Sequence, residues 1–245
     1  MGGSAEGRGP DVFQLLTDRG AQEWQHRVGV VGGSDGSAKG TTRLLEAGGW
    51  LIKTDLSRAR ATPDDLVRDV SALVELARKT RLWHDRKVWF LMRATVGWLP
   101  CSACPVLRTV RECEGWDVKS RAWTRMIEIG LEAASRHDVL LDLNPSNFGF
   151  HEDPANWLYY LDDECYPTPR MTDFGAAVAA RIPEEPEVGS AQWAEWGCLL
   201  QPVLDRHSGG VGDLIEFLDG LRAVSYTHLR AHETVLDLVC RLLLE

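Results

Sequence analysis

The stretch that most constrains the fold lies at residues 141–164. A polar turn there reads Asp-Leu-x-Pro-x-Asn from Asp142 to Asn147, and a helix-like run at residues 118–135 precedes it. The turn is followed by Phe-Gly-Phe at 148–150, a polar stretch at 151–156 and an apolar run at 157–161 that ends in acidic residues. Two short apolar runs separated by turn-forming residues are typical of a β-hairpin. The pattern therefore predicts a hairpin between the polar turn and Asp162.

Three side chains of this region have the chemical types that phosphoryl transfer needs. Transfer from a Mg-nucleotide uses one carboxylate to orient the acceptor hydroxyl, together with an Asn and a second carboxylate that hold metal. Asp142, Asn147 and Asp162 supply these groups in that order, and Asp163 is a candidate for an additional ligand. The alternative is structural: Asp142 forms an Asx turn, Asn147 lies in a turn, and Asp162 ends a solvated strand.

The segment resembles the catalytic loop and metal-binding strand of the protein-kinase-like fold, which includes protein kinases, aminoglycoside and choline phosphotransferases and lipopolysaccharide-type kinases. The kinase catalytic loop reads H-R-D-L-x-x-x-N. Asp142 and Asn147 keep its offset, whereas Leu140 and Leu141 replace the His-Arg pair. Asn144 stands where protein Ser/Thr kinases usually have Lys and small-molecule kinases often have His. The resemblance implies an α+β, bilobal protein-kinase-like fold with a small β-rich N-lobe and a helical C-lobe.

What the resemblance implies for function is an ATP- and Mg²⁺-dependent phosphotransferase, with Asp142, Lys53 and Asn147 as catalytic residues. The acceptor would be a hydroxyl of a protein Ser/Thr or of a small molecule. The missing His-Arg pair and an irregular glycine loop favour the alternative of a pseudokinase, a binding or regulatory module on the same scaffold. An unrelated α+β binding domain is a third possibility.

An apolar strand with one embedded Lys lies in the N-terminal half, at residues 50–54. It resembles the V-A-I-K strand of kinases, which implies that Lys53 binds the α- and β-phosphates; alternatively, Lys53 protects a strand edge. A helix is predicted to begin at Thr62 and Pro63, because a capping Thr precedes Pro and two acids. In the resemblance this helix supplies a Glu that pairs with the Lys. Glu75 is the first candidate for this Glu and Asp69 the second. The alternative is that the candidate is a solvated charge on the helix surface.

Glycines at 32, 33 and 36 are predicted to form a hairpin that covers the nucleotide phosphates, because the N–H groups that glycine exposes can bind phosphate oxygens. Gly32, Gly33 and Gly36 match neither G-x-G-x-x-G nor the Walker pattern well, and a flexible hairpin turn is the alternative. A literal Asp-Phe-Gly occurs later, at Asp173. It follows prolines instead of an apolar strand, so Asp162 is preferred as the metal ligand.

The expected organisation has four parts: a flexible leader at 1–22, an N-lobe at 23–97, a C-lobe at 98–223, and a tail at 224–245. Residues 94–97 are expected to form the hinge between the lobes. The tail resembles a translated transposase-type sequencing adapter, so we interpret it as read-through that leaves the C-lobe incomplete. A genuine amphipathic helix containing Val235, Val239 and Leu243 is the alternative.

Composition excludes some classes of protein. The formal net charge of −9 argues against nucleic-acid binding, which needs clustered Lys and Arg. No apolar run reaches the length of about 18 residues that a transmembrane helix needs. Six cysteines include one C-x-x-C, at Cys101 and Cys104, with no second pair to complete a zinc site. We therefore expect reduced thiols in a cytoplasmic protein.

Overall fold

The computed structural model describes residues 22–23, 42–167, 170–180 and 187–228. These residues form a mixed α+β architecture with antiparallel sheets and five helices, which confirms the predicted α+β class. The chain divides into two compact units, the first ending at Val106 and the second beginning at Leu107. No helix in the described ranges is both long enough and apolar enough to cross a bilayer. Among the cysteines within these ranges, Cys101, Cys104 and Cys113 are buried, Cys165 is half-buried and Cys198 is exposed.

The first unit contains a five-stranded antiparallel sheet with the strand order β1-β2-β3-β5-β4. Its strands are β1 (Gln22–Glu23), β2 (Thr42–Ala47), β3 (Trp50–Asp55), β4 (Val88–Ala94) and β5 (Gly97–Pro105). Gly48 and Gly49 join β2 to β3, and their φ angles of 58° and 79° are those of a tight hairpin turn that favours glycine. This turn sets the register, in which Ala47 pairs with Trp50 and Leu44 pairs with Lys53.

Helix α1 (Asp64–Thr80) lies between β3 and β4 in the chain. Acids in its first turn and the basic residues Arg78 and Lys79 in its last turn complement the helix dipole. The predicted start of the helix is displaced by one residue: Pro63 occupies the N-cap position that was predicted for Thr62. The helix ends where Arg81 takes a left-handed conformation with a φ of 53°. Leu66 is its buried anchor.

The expected hinge at residues 94–97 is instead the tight turn of a second hairpin, in which Ala94 pairs with Gly97. Gly97 has a φ of 123°, and a Cβ there would come within 2.5 Å of the Arg60 carbonyl oxygen. The close approach arises because Arg60 and Trp98 exchange two backbone hydrogen bonds, of 2.9 and 2.7 Å. The predicted boundary after Gly97 therefore falls at the start of β5, a strand of the first unit.

The second unit combines four helices with short strands. The helices are α2 (Trp116–His137), α3 (Met171–Ala179), α4 (Ser190–His207) and α5 (Val211–His228). The strands are β6 (Arg108–Thr109), β7 (Val139–Leu141), β8 (Phe148–Phe150), β9 (Tyr159–Tyr160) and β10 (Cys165–Pro167). They form a three-stranded sheet, β6-β8-β9, and a two-stranded ribbon, β7-β10. Helix α5 continues through residue 224, the predicted start of the tail, to His228.

Tryptophan rings pack α2 against α4. Trp193 and Trp196 lie one turn apart on α4 and therefore face the same side of the helix. Trp123 of α2 stacks on Trp193 with ring centroids 6.1 Å apart and meets Trp196 edge-on at 5.4 Å. The Trp196 indole N–H donates to the Thr124 hydroxyl at 3.0 Å, so this buried donor has a partner. The rings of Trp123, Trp193 and Trp196 are all buried.

A salt-bridge network also joins α2 to α4. Glu128 accepts hydrogen bonds from Arg125 at 2.6 Å and from Arg206 at 2.5 Å. Burial by itself would raise the pKa of Glu128, but the hydrogen bonds and charges of the two arginines outweigh it and hold the pKa below its ordinary value. The carboxylate is therefore more stable in the folded protein than in the unfolded chain.

Helices α3 and α5 cross at two glycines. A Cβ on Gly175 would collide with the Phe217 carbonyl oxygen, and one on Gly220 would collide with the Thr172 carbonyl oxygen. Both obstacles are backbone atoms, which cannot move aside as a side chain could. The glycine of the Asp-Phe-Gly tripeptide therefore allows two helices to approach closely.

Gly175→Ala is expected to lower the free energy of unfolding by about 3 kcal/mol, because the new methyl group overpacks this crossing. Gly212→Ala is the matched control, since Gly212 lies in α5 with nothing within 4 Å of its added Cβ. The control should stay within about 1 kcal/mol of the parent, on the stabilising side. Both values come from urea unfolding. Equal stability of the two variants would show that the helices do not cross closely at Gly175.

Glu128→Gln is expected to weaken the pH dependence of stability. A carboxylate with a depressed folded pKa stabilises the protein above its unfolded pKa of about 4.3, and this stability is lost as pH falls through the folded pKa. The difference in unfolding free energy between pH 7 and pH 3 should shrink in the variant. Glu132→Gln, which removes a pair with the more exposed Arg136, should keep the parent's slope. A parent-like slope in Glu128→Gln contradicts the assignment.

Candidate functional site

The polar turn after β7 owes its shape to its own side chains. Pro145 occupies the first turn of a short 3₁₀ helix, Pro145–Asn147, where its missing N–H costs nothing. The Asn144 side-chain oxygen accepts from the Ser146 N–H at 3.1 Å and from the Ser146 hydroxyl at 2.8 Å. The Asn147 N–H donates to the Asn144 carbonyl at 2.8 Å. Asn144, which matches neither kinase subclass, thus caps the turn that presents Asn147.

Asp142 and Asn147 lie at opposite ends of this turn and contact each other. The Asn147 amide nitrogen, Nδ2, donates to the Asp142 carboxylate oxygen Oδ2 at 3.0 Å and to the Asp142 carbonyl at 3.4 Å. Asp142 is exposed, whereas Asn147 is half-buried. Because Nδ2 is the donating end of the amide, Oδ1 is the atom that Asn147 can offer to a metal.

The hairpin of β8 and β9 brings Asp162 to the same region. Phe148 pairs with Tyr160, and the Leu161 N–H donates to the Asn147 carbonyl at 2.8 Å. Asp162 follows at once and is half-buried, and its Oδ1 accepts from the Asp163 N–H at 2.7 Å. The predicted hairpin is confirmed, although its second strand is shorter than the apolar run.

Tyr160 connects the two ends of the site, and sequence reasoning missed it. The Asp142 N–H donates to the Tyr160 hydroxyl oxygen at 3.2 Å, and the hydroxyl donates to the Glu164 carbonyl at 2.8 Å. Burial, followed by the negative charge of Asp162, raises the pKa of Tyr160 above its ordinary value. The alternation of apolar residues Leu158 and Tyr160 was the available signal, because it places the Tyr160 ring inward.

A second tyrosine adds to the acidic surroundings. The Tyr166 hydroxyl donates to the Glu164 carboxylate at 2.7 Å. That hydrogen bond is the main cause that raises the pKa of Tyr166; burial and the charges of Glu164, Asp142 and Asp162 add to it. Since both tyrosines respond to both Asp142 and Asp162, the two carboxylates belong to one negatively charged region.

The donor set suits a magnesium ion that arrives with a nucleotide. Within the described ranges, no group of three or more His, Cys, Asp or Glu residues is arranged to hold a metal ion. Mg²⁺ is commonly bound by one or two carboxylates together with substrate phosphates and water, and it does not require a complete protein cage. Asp162 and the Asn147 side-chain oxygen fit that pattern, and Asp163 is the adjacent carboxylate.

The other predicted residues of the site lie in the first unit. Lys53 is half-buried in β3, where it pairs with Leu44 on one side and Ser102 on the other. Glu75 is exposed on α1. Asp69, the second candidate, lies 3.7 Å from Arg58. Pairing of Lys53 with Glu75 stays a prediction, and Gly32, Gly33 and Gly36 lie outside the described residues.

Asp173 has a structural role in helix α3. Its carboxylate accepts from the Arg170 backbone N–H at 3.0 Å, and the Arg170 guanidinium lies 3.4 Å away. A carboxylate in the first turn satisfies an otherwise unpaired backbone donor and complements the helix dipole. The Asp-Phe-Gly tripeptide is thus the start of a helix and not the end of a strand, which agrees with the preference for Asp162.

No family model matches the chain, and no curated protein is significantly similar to it.

Asp173→Ala is expected to lower the free energy of unfolding by about 1 kcal/mol, because it removes the acceptor at the start of α3. Thermal or urea unfolding measures this loss. Asp153→Ala is an unsuitable control, since Asp153 also accepts a backbone hydrogen bond, from Ala155. Asp219→Ala, which removes an exposed carboxylate 3.7 Å from Arg222, should change stability by less than about 0.5 kcal/mol. A neutral Asp173→Ala would contradict the capping role.

Proposed function

We propose that this protein is a kinase-like phosphotransferase that moves the γ-phosphoryl group of ATP to a hydroxyl acceptor with the help of Mg²⁺. The acceptor is a hydroxyl of a protein Ser/Thr or of a small molecule. A bilobal protein-kinase-like fold is part of the same proposal. It is supported by the order of elements in the first unit, which runs from the strand carrying Lys53 through α1 to the hairpin of β4 and β5.

One observation carries the proposal: the hydrogen bond from Asn147 to the Asp142 carboxylate, beside the strand that leads to Asp162. The three residues have the chemical types that phosphoryl transfer needs. The turn brings Asp142 to the Asn147 side chain, and the hairpin of β8 and β9 brings the residue before Asp162 to the Asn147 backbone. The juxtaposition therefore favours a functional interpretation over the structural alternative.

Each residue has a defined part in the proposed chemistry. When bound, ATP would supply the transferable phosphoryl group and Mg²⁺ would neutralise the charge that develops on it. Asp142 is exposed and is the group that orients the acceptor hydroxyl and accepts its proton. Asn147 holds the Asp142 carboxylate in place, and Asp162 offers a metal-binding oxygen. Lys53 would bind phosphate oxygens. The protein contributes positioning and charge, with little covalent chemistry of its own.

The second candidate is a pseudokinase that binds nucleotide without transferring phosphate. Leu140 and Leu141 in place of His-Arg favour it, as does the exposed position of Glu75. The retention of Asp142, Asn147 and Asp162 opposes it, because a binding module does not need the residue that accepts the proton.

Calorimetric titration of the full chain with ATP is expected to show binding that requires Mg²⁺. Asp162→Asn removes a charged ligand, and a charge-assisted contact contributes about 1.5–3 kcal/mol, so affinity should fall about tenfold to a hundredfold. Asp173→Asn is the matched control and should bind within about twofold of the parent. Equal weakening in both variants would point to loss of folding. An unaffected Asp162→Asn, or a folded parent that does not bind, would overturn the proposed site.

A second measurement distinguishes an enzyme from a binding module. It is the release of inorganic phosphate from Mg-ATP, with water as the acceptor. Asp142→Ala should reduce the rate by a factor of about 10² or more while Mg-ATP still binds, since a general base contributes about 10²–10⁴. Binding without any phosphate release in the parent, and without transfer to added Ser/Thr peptides or polyols, would favour the pseudokinase.

A further inference from the structure

We infer that Tyr160 is a positioning residue for the proposed phosphoryl transfer: its buried hydroxyl fixes the backbone of Asp142 against the segment between β9 and β10, which contains Asp162 and Glu164. Because this role concerns the orientation of the proposed base, it rests on the proposed function. Tyr160 itself touches neither nucleotide nor acceptor in this role. It acts through Asp142.

The hydrogen bonds of the Tyr160 hydroxyl are complementary. A phenol has one hydrogen to donate and lone pairs to accept with. The hydrogen goes to the Glu164 carbonyl at 2.8 Å, and the oxygen accepts from the Asp142 N–H at 3.2 Å. One atom thus joins the residue that follows β7 to the residue that precedes β10, in addition to the backbone pairing of Leu141 with Cys165.

The Tyr160 ring is a rigid support for that atom. It is 0% exposed, and its centroid lies 5.3 Å from that of Phe148. The two residues also pair directly across β8 and β9. The side chain has only two torsion angles and is packed on all sides, so its hydroxyl has little freedom. Leaving this buried hydroxyl without its hydrogen-bond partners would destabilise the folded protein.

Asp142 has two independent anchors. The Asn147 side-chain amide donates to its carboxylate at 3.0 Å, and its backbone N–H donates to the Tyr160 hydroxyl at 3.2 Å. The exposed carboxylate is therefore attached to a backbone that a buried side chain holds.

Tyr160→Phe tests this role, because it keeps the ring and removes only the hydroxyl. The probe is Mg-ATP, with water as the acceptor of the phosphoryl group. We expect kcat for phosphate release to fall about tenfold to a hundredfold, since small misplacements of a positioned group have effects of this size, while KM for Mg-ATP stays within about twofold. Tyr159→Phe is the control, since that ring lies on the other side of β9 against His151 and Trp157.

Two kinetic outcomes overturn the inference. A Tyr160→Phe protein with parent-like kcat and KM shows that the hydroxyl has no part in positioning. A higher KM with unchanged kcat assigns Tyr160 to nucleotide binding instead. Thermal unfolding of Tyr160→Phe distinguishes a folded variant with a displaced base from an unfolded one.

Amide hydrogen exchange gives a readout that does not depend on activity. The Asp142 amide of the parent should be protected at least about tenfold relative to an exposed loop amide, although its side chain is exposed, and Tyr160→Phe should lose that protection. An unprotected Asp142 amide in the parent overturns the inference even if the variant fails to fold. Absence of Mg-ATP binding and turnover in the parent would instead defeat the proposed function, and exchange would still decide whether Tyr160 holds Asp142.

Discussion

The antiparallel pairing of β8 with β9 is the interaction on which the candidate site depends. Because Phe148 and Tyr160 lie opposite each other, the residues just outside the hairpin, Asn147 and Leu161, are joined by a backbone hydrogen bond. Asp162 follows directly, and the Tyr160 hydroxyl reaches back to the Asp142 N–H. This short hairpin thus brings residues that are distant in the sequence into contact. The three polar residues Asp142, Asn147 and Asp162 gather at one end of it.

The Asp142 carboxylate is exposed, but the side chains that hold this region in place are buried. Asp142 is open to solvent and Asp162 is half-buried, whereas Tyr160 and Phe148 lie in the core of the second unit. Leaving a buried hydrogen-bonding group without a partner costs free energy, and this cost favours one arrangement of the turn. Asp142 thus stays accessible while its backbone is held in place.

The Asp-Phe-Gly tripeptide shows that a short motif does not define its own environment. In this chain Asp173 satisfies a backbone donor at the start of α3, and Gly175 lets α3 approach the backbone of α5. Asp142 and Asn147, by contrast, occur within a longer pattern of turn, strand and acid. The longer pattern predicted a hairpin, and a hairpin constrains distances whereas a tripeptide does not.

The α+β class was implied by the resemblance to the protein-kinase-like fold. Local patterns in the sequence account for the two-glycine hairpin before Lys53, the helix from Asp64, and the hairpin that separates Asn147 from Asp162. These features depend on periodicity and turn chemistry within short stretches. Only the tertiary structure decided the role of Tyr160, the close approach at Gly175, and the assignment of residues 94–97 to a hairpin instead of a hinge. Each of these depends on a partner distant in the chain, namely Asp142, Phe217 and Arg60. A local sequence pattern contains no information about the distance between such partners, because tertiary packing sets that distance.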